Sequence, residues 1–170
     1  MQITQPKVDH GHEEAQRHGI ARSPQWPAVS RKFVKDHPTC AATGPNCLCS
    51  HGRTALQTHH RIPFHYCIAL GRPDLELDDR NFIALCEHQK GAPAENHHLL
   101  IGHADAFVSS NLSVEEDATK TFLGMTADQI KADPVFAARV ASRLKPLDEM
   151  TADEKTALRA LMDSTFPLAT

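Results

Sequence analysis

Two adjacent histidines, His59 and His60, close a short run with strand character, Thr54 to His59, and Pro63 follows closely. Neighbouring side chains in a strand point to opposite faces. His59 and His60 therefore cannot serve as two interchangeable ligands on one surface. If the strand ends there, one imidazole can hold a metal while the other faces a substrate beside it. Metal-assisted hydrolysis needs that division of labour: a cation to stabilise developing charge, and a neutral base to take a proton from water. The plain alternative is a solvated histidine pair in a loop. All twelve histidines fall between His10 and His103. Histidine is both a common metal ligand and the base suited to neutral pH, so this confinement locates the chemistry.

Several elements must position these side chains. Residues 1–21 are polar, carry His10-Gly11-His12 and read as a flexible arm. The pattern Val29, Phe33, Val34 predicts an amphipathic helix over Ala28–His37, with Arg31, Lys32 and Lys35 on other faces and Pro38 ending it. The single tryptophan, Trp26, is expected to pack this helix to the core. A loop follows with Cys40, Cys47 and Cys49; a zinc knuckle would need Cys-x-x-Cys, and the chain has Cys40-Ala41-Ala42-Thr43. After the histidine pair, Ile62–Ala69 reads as irregular or extended. Asp78-Asp79-Arg80-Asn81 is a turn leading to a second strand, Phe82–Cys86. Helix formers resume at residue 95 or 96 and run to about Ser109, with His97 and His98 in the first turn and His103 further along.

Residues 111–170 predict a separable, all-helical extension. Its start signals are Ser113, Thr126, Asp133-Pro134 and a capping box at Thr151–Glu154. No side-chain cluster in it resembles a catalytic site.

Length and composition bound the rest. At 170 residues and 41% hydrophobic, the chain can form one domain of ordinary size or one small domain with extensions, with a mostly aliphatic core because only nine residues are aromatic. No apolar run is long enough for a membrane helix and there is no secretory leader, so a cytoplasmic location is expected, with delivery elsewhere only by a route the sequence does not show. Five cysteines, an odd number, do not make a secreted disulfide scaffold. The net charge of −3 is unevenly spread: residues 22–65 hold six basic side chains against Asp36 alone, whereas residues 111–170 hold seven basic and ten acidic ones. A local basic patch of this kind suits a polyanion.

The pattern as a whole resembles the HNH nucleases, a family whose ββα-metal motif is named for a histidine, an asparagine and a histidine. The likeness rests on Arg22-Ser23-Pro24-Gln25-Trp26-Pro27, on Phe33 with His37-Pro38-Thr39-Cys40, and on His59-His60-x-x-Pro63-Phe64-His65. It continues through Leu75-Glu76-Leu77-Asp78, Asn81-Phe82-Ile83-Ala84-Leu85-Cys86-Glu87 and His98-Leu99-Leu100-Ile101-Gly102-His103, and covers residues 22 to about 107. It implies an α+β fold: a ββα-metal core over residues 22–110 with a basic N-terminal helix, followed by the helical extension.

The resemblance also implies roles. His59 and His98 would be metal ligands, His60 the general base, and Asn81 the residue that orients the loop carrying His60. His103 would be a third ligand, but five residues along an α-helix is a rotation of about 500°, which puts it some 140° from His98; a shared metal requires a break at Gly102. Arg22, Arg31, Lys32, Lys35, Arg61 and His65 would meet nucleic acid. The implied partner is DNA and the implied cofactor one divalent ion: Mg²⁺, Mn²⁺, Ni²⁺ or Zn²⁺. Many members carry an accessory zinc. Here Cys-x-x-Thr and His97-His98 replace two of its ligand positions, which argues against a structural zinc unless Cys40, Cys86 and His97 recruit Cys47 or Cys49. The expected activity is endonucleolytic hydrolysis of DNA with little sequence preference, in an antibacterial toxin or phage component whose tail could meet a protein partner. The alternative is a non-catalytic zinc-fold module that binds nucleic acid.

Overall fold

The computed structural model describes residues 15–45, 49, 55–87 and 95–168. His10, His12, Cys47 and Arg53 lie outside them. The chain is an α+β protein built on a two-stranded antiparallel sheet. Strand β1 spans Ala55–His60 and β2 spans Phe82–Glu87, with His59 opposite Ile83 and His60 opposite Phe82. Alternation along the strands gives each face its own cover. On one face lies helix α1, Trp26–Asp36, whose Trp26, Val29 and Phe33 pack on Phe82 and Ala84. On the other, Ile83 and Leu85 meet Leu100, Ile101 and a set of later helices.

Two segments differ from expectation. Residues 64–69 form a short helix, α2 (Phe64–Ala69), entered through Pro63. Proline's preset φ and missing N–H are tolerated at a helix start, so Pro63 ends the strand and also opens a helix. Burial of Tyr66 and Cys67 in a second cluster with Leu75 overrides the weak helix propensity of the aromatic run. The helix expected over residues 96–109 is only one π-helical turn, His98–Gly102. Ala104 and Asp105 then adopt φ of 45° and 66°, which turns the chain away.

The later helices are α3 (Val114–Glu116, continued by a π-turn Asp117–Thr121), α4 (Ala127–Ala132), α5 (Pro134–Ala141) and α6 (Ala152–Thr165). Their starts follow local chemistry. Thr126 with Gln129, and Thr151 with Glu154, form reciprocal capping boxes, and Asp133 caps α5 with Pro134 in its first turn. Ser113 precedes α3 without a side-chain cap bond.

The boundary expected at residue 110 does not coincide with a break in packing. Val114, Ala118, Phe122, Ile130 and Phe136 share one cluster with Cys40, Ile83 and Leu100. Leu147, Met150, Leu158, Met162 and Phe166 share the other with Ile62, Tyr66 and Leu75. Arg72, its side chain 2% exposed, pairs with Asp74 and Asp163 and donates to the Phe166 carbonyl at 2.8 Å. The arm also docks at its end: Ala15 is buried and Ile20 packs on the second cluster. No helix among the described residues is long and apolar enough to cross a membrane.

Candidate functional site

His59 leaves β1 toward the π-turn, and the turn returns two imidazoles to it. Nitrogen atoms of His59, His98 and His103 lie within 4.8 Å of one another. The rotation that would separate His98 from His103 in an α-helix is removed by the wider turn, which carries residue i+5 back over residue i. Their Nε2 atoms are 3.3 Å apart. Two nitrogens bound tetrahedrally at about 2.0–2.1 Å from one ion would stand ~3.4 Å apart, so the spacing fits a shared cation.

The surroundings favour the same state. The Ser109 carbonyl, 2.6 Å from His103 Nδ1, accepts its proton and leaves the lone pair on Nε2. His59 is 4% exposed and its Nε2 has no hydrogen-bond partner; neither has His98 Nδ1, although the Glu87 carboxylate stands 3.9 Å from it. Burial, then the nearby His103, His98 and His60, holds the His59 pKa well below the usual range, so the ring stays neutral and can donate its lone pair. Gly102 lies flat against His59: a Cβ there would come within 3.0 Å of the ring. Glu87 is the residue that sequence reasoning did not assign a role; its place at the end of β2, in register with Ala55, brings it to His98.

His60 projects from the other face of β1. Its Nε2 donates to the Glu76 carbonyl at 2.9 Å, which leaves Nδ1 as the basic nitrogen. Trp26 stacks on the ring with centroids 4.4 Å apart, and Phe82 meets it edge-on at 5.0 Å. The tryptophan thus does more than anchor α1; it fixes this imidazole. The Arg22 guanidinium lies over both Trp26, at 4.5 Å, and Phe64, at 4.1 Å, which puts a cation beside His60. The Glu76 carboxylate accepts from the Ser23 backbone at 2.6 Å and ties this lead-in to the same turn. Asn81 is fully buried. It accepts from Ile62 N–H and donates to the Ile62 and Leu75 carbonyls, all within 3.0 Å, so it clamps the chain that follows His60 to the turn carrying Glu76.

A second donor group lies nearby: Cys40, Cys49, Cys86 and His97, all buried and also within 4.8 Å. His97 Nε2 donates to the Met125 carbonyl at 3.2 Å, so Nδ1 points its lone pair at Cys40 Sγ, 3.3 Å away, and Cys49 Sγ, 3.8 Å away. Hydrogen bonds from Cys49 and Cys86 push the Cys40 thiol down to about 3, and hydrogen bonds with Cys40 and Cys49 push Cys86 up. Such a closed Cys3His set could bind a metal ion such as zinc. The absence of Cys-x-x-Cys left two outcomes open in the sequence, no such site or the recruitment of Cys47 or Cys49; the fold brings Cys49 to Cys40, Cys86 and His97. The doublet His97-His98 is divided, one imidazole to each group, and Cys86-Glu87 is divided likewise.

The expected phosphate contacts fare unevenly. Arg31 and Lys35 are exposed on α1, and Lys32 pairs with Asp36 at 2.5 Å. Arg61 is not free for phosphate: it pairs with Glu115 and donates to the Arg80 carbonyl. His65 is 3% exposed, with its ring against Tyr66 at 4.3 Å, so it does not face a phosphate. The cause is α2, which turns it inward.

Burial pushes His60 down to about 3, aided by Arg22, and His65 to about 4, aided by His18. Both rings are neutral when folded and gain a proton when unfolded below pH ~6.5. Their contribution is therefore complete above that pH. It is lost as pH falls toward the folded values, by about 1.4 kcal/mol per group per pH unit. Thermal denaturation of metal-free protein should show the midpoint dropping steadily from about pH 7 to about pH 5. A flat profile would contradict buried neutral imidazoles.

Compared with family models, curated proteins and solved structures, the chain matches none.

Proposed function

We propose that the chain is a metal-dependent endonuclease of the HNH type, with a ββα-metal core, that hydrolyses phosphodiester bonds in DNA with little sequence preference. One observation carries the reading. Consecutive residues of one strand serve opposite faces, His59 in a three-imidazole cluster and His60 held by one nitrogen with the other free to accept a proton. A divalent cation bound by His59, His98 and His103 would supply positive charge to a phosphoryl oxygen and to the leaving oxygen.

The chain's own residues do the rest. His60 Nδ1 takes the proton of the attacking water. The Glu76 carbonyl on Nε2 fixes the tautomer and bears part of the imidazolium charge. Asn81 keeps that carbonyl in place. Arg22 offers a guanidinium to the anion on the same side, and Arg31 and Lys35 add affinity that does not depend on base identity.

The Cys3His group favours the second reading, a zinc-fold module that binds nucleic acid without cutting it. The two separate in one experiment. Purified protein with Mg²⁺, Mn²⁺ or Ni²⁺ should convert supercoiled plasmid to nicked and linear forms, and EDTA should stop it. His98→Ala should lower metal affinity and cleavage together. Plasmid left intact under every metal, with DNA still bound, would select the binding module.

A further inference from the structure

Asp117 is completely buried, and its carboxylate is saturated. Oδ2 accepts from Arg139 Nε at 2.7 Å and from Asn111 Nδ2 at 2.8 Å, and Oδ1 accepts from Arg139 Nη2 at 2.9 Å. Asn111, 4% exposed, also reaches the π-turn. Its Nδ2 donates to the Ile101 carbonyl at 3.0 Å, and its backbone N–H donates to the Gly102 carbonyl at 3.0 Å. Its Oδ1 accepts from Ser113 N–H at 2.9 Å, which holds the amide in that orientation.

Ile101 and Gly102 lie between His98 and His103, and the carbonyls at the end of a helical turn lack partners within it. Gly102 is also the surface on which the His59 ring rests. Asn111 therefore grips from outside the backbone that joins His98 to His103 and the glycine against which the His59 ring rests. Asn111 is oriented by Asp117, and Asp117 is held by Arg139 on α5. We propose that Arg139, Asp117 and Asn111 form a positioning relay that sets the spacing of His59, His98 and His103 and thereby the affinity of that site for a divalent cation. The inference rests on reading the trio as a metal site. None of the three residues touches the ion or the reacting atoms. Partners of this kind that orient ligands typically change metal affinity 10–100-fold.

The test is a Co²⁺ titration of the full chain. Thiolate-to-cobalt charge transfer in the near ultraviolet reports the cysteine group. The part of the visible ligand-field bands that His59→Ala removes reports the trio. Asn111→Ala and Arg139→Met should each raise the Kd of the trio roughly tenfold, and Arg139→Lys, which keeps the charge, should restore part of the loss. The cysteine band should saturate at the wild-type concentration. Two results overturn the relay: unchanged cobalt affinity at the trio, or parallel weakening of both groups, which is general loosening. A wild type without any His59-dependent band would overturn the metal reading itself. Arg139→Lys keeps the test open if Arg139→Met does not fold.

Discussion

Exchanging His60 for alanine should lower metal-dependent plasmid nicking by roughly 10²–10⁴-fold, the usual contribution of a positioned general base. Metal affinity should change little, because His60 stands on the opposite face of β1 from the three clustered imidazoles. DNA affinity should also persist, since a neutral ring makes no ion pair with phosphate. The substitution removes the surface on which Trp26 stacks, so a modest drop in melting temperature is expected as well. Rates must therefore be compared well below the midpoint of the variant, with cobalt binding and gel-shift affinity measured on the same preparations. If His60→Ala cuts at the wild-type rate, the proton goes elsewhere and the assignment of the two histidines is wrong. If metal binding is lost along with cutting, the two faces are not independent.

Truncation after residue 110 is expected to leave a chain with no cooperative thermal transition and no bound metal at either donor group. Both clusters would be cut through. One would lose Val114, Phe122, Ile130 and Phe136, and the other Leu147, Leu158, Met162 and Phe166. Burial of one large apolar side chain is worth about 1.5–3 kcal/mol, so four of them match the whole stability of a typical domain, about 5–15 kcal/mol. Arg72 would lose Asp163 and the Phe166 carbonyl, and its guanidinium would be opened to water. Circular dichroism melting of residues 1–110 beside the full chain decides the matter. A fragment that melts cooperatively and still takes up cobalt would restore the helical part as a true appendage.

Charge and the absence of catalytic side chains set residues 111–170 apart in the sequence, and neither speaks to packing. The apolar stripe of each helix was visible, but its partner was not. The likeness to the HNH pattern made β1, β2 and the histidines stand out and drew the boundary where the motif stops.

Features that depend on neighbours along the chain were legible in the letters alone. The alternation that sends His59 and His60 to opposite faces is a property of any strand, and β1 pairs in that register with β2. The caps at Thr126, Asp133 and Thr151 act within one helical turn. Asn81 was marked by its place just before β2, and its side chain bonds the Ile62 backbone in both directions.

Contacts between residues far apart in sequence were decided by the assembled fold. Cys49 joins Cys40, Cys86 and His97 across 48 residues from His97, and no spacing rule anticipates it. His98 and His103 meet because the backbone winds into a π-turn, which the helix formers of that segment do not encode and which Asn111 holds from beyond its end. His65 faces inward and Arg61 turns to Glu115 because α2 and α3 have those places to fill. Local propensity is worth tenths of a kcal/mol per residue, whereas one buried contact is worth several times more, so the tertiary arrangement wins wherever the two disagree.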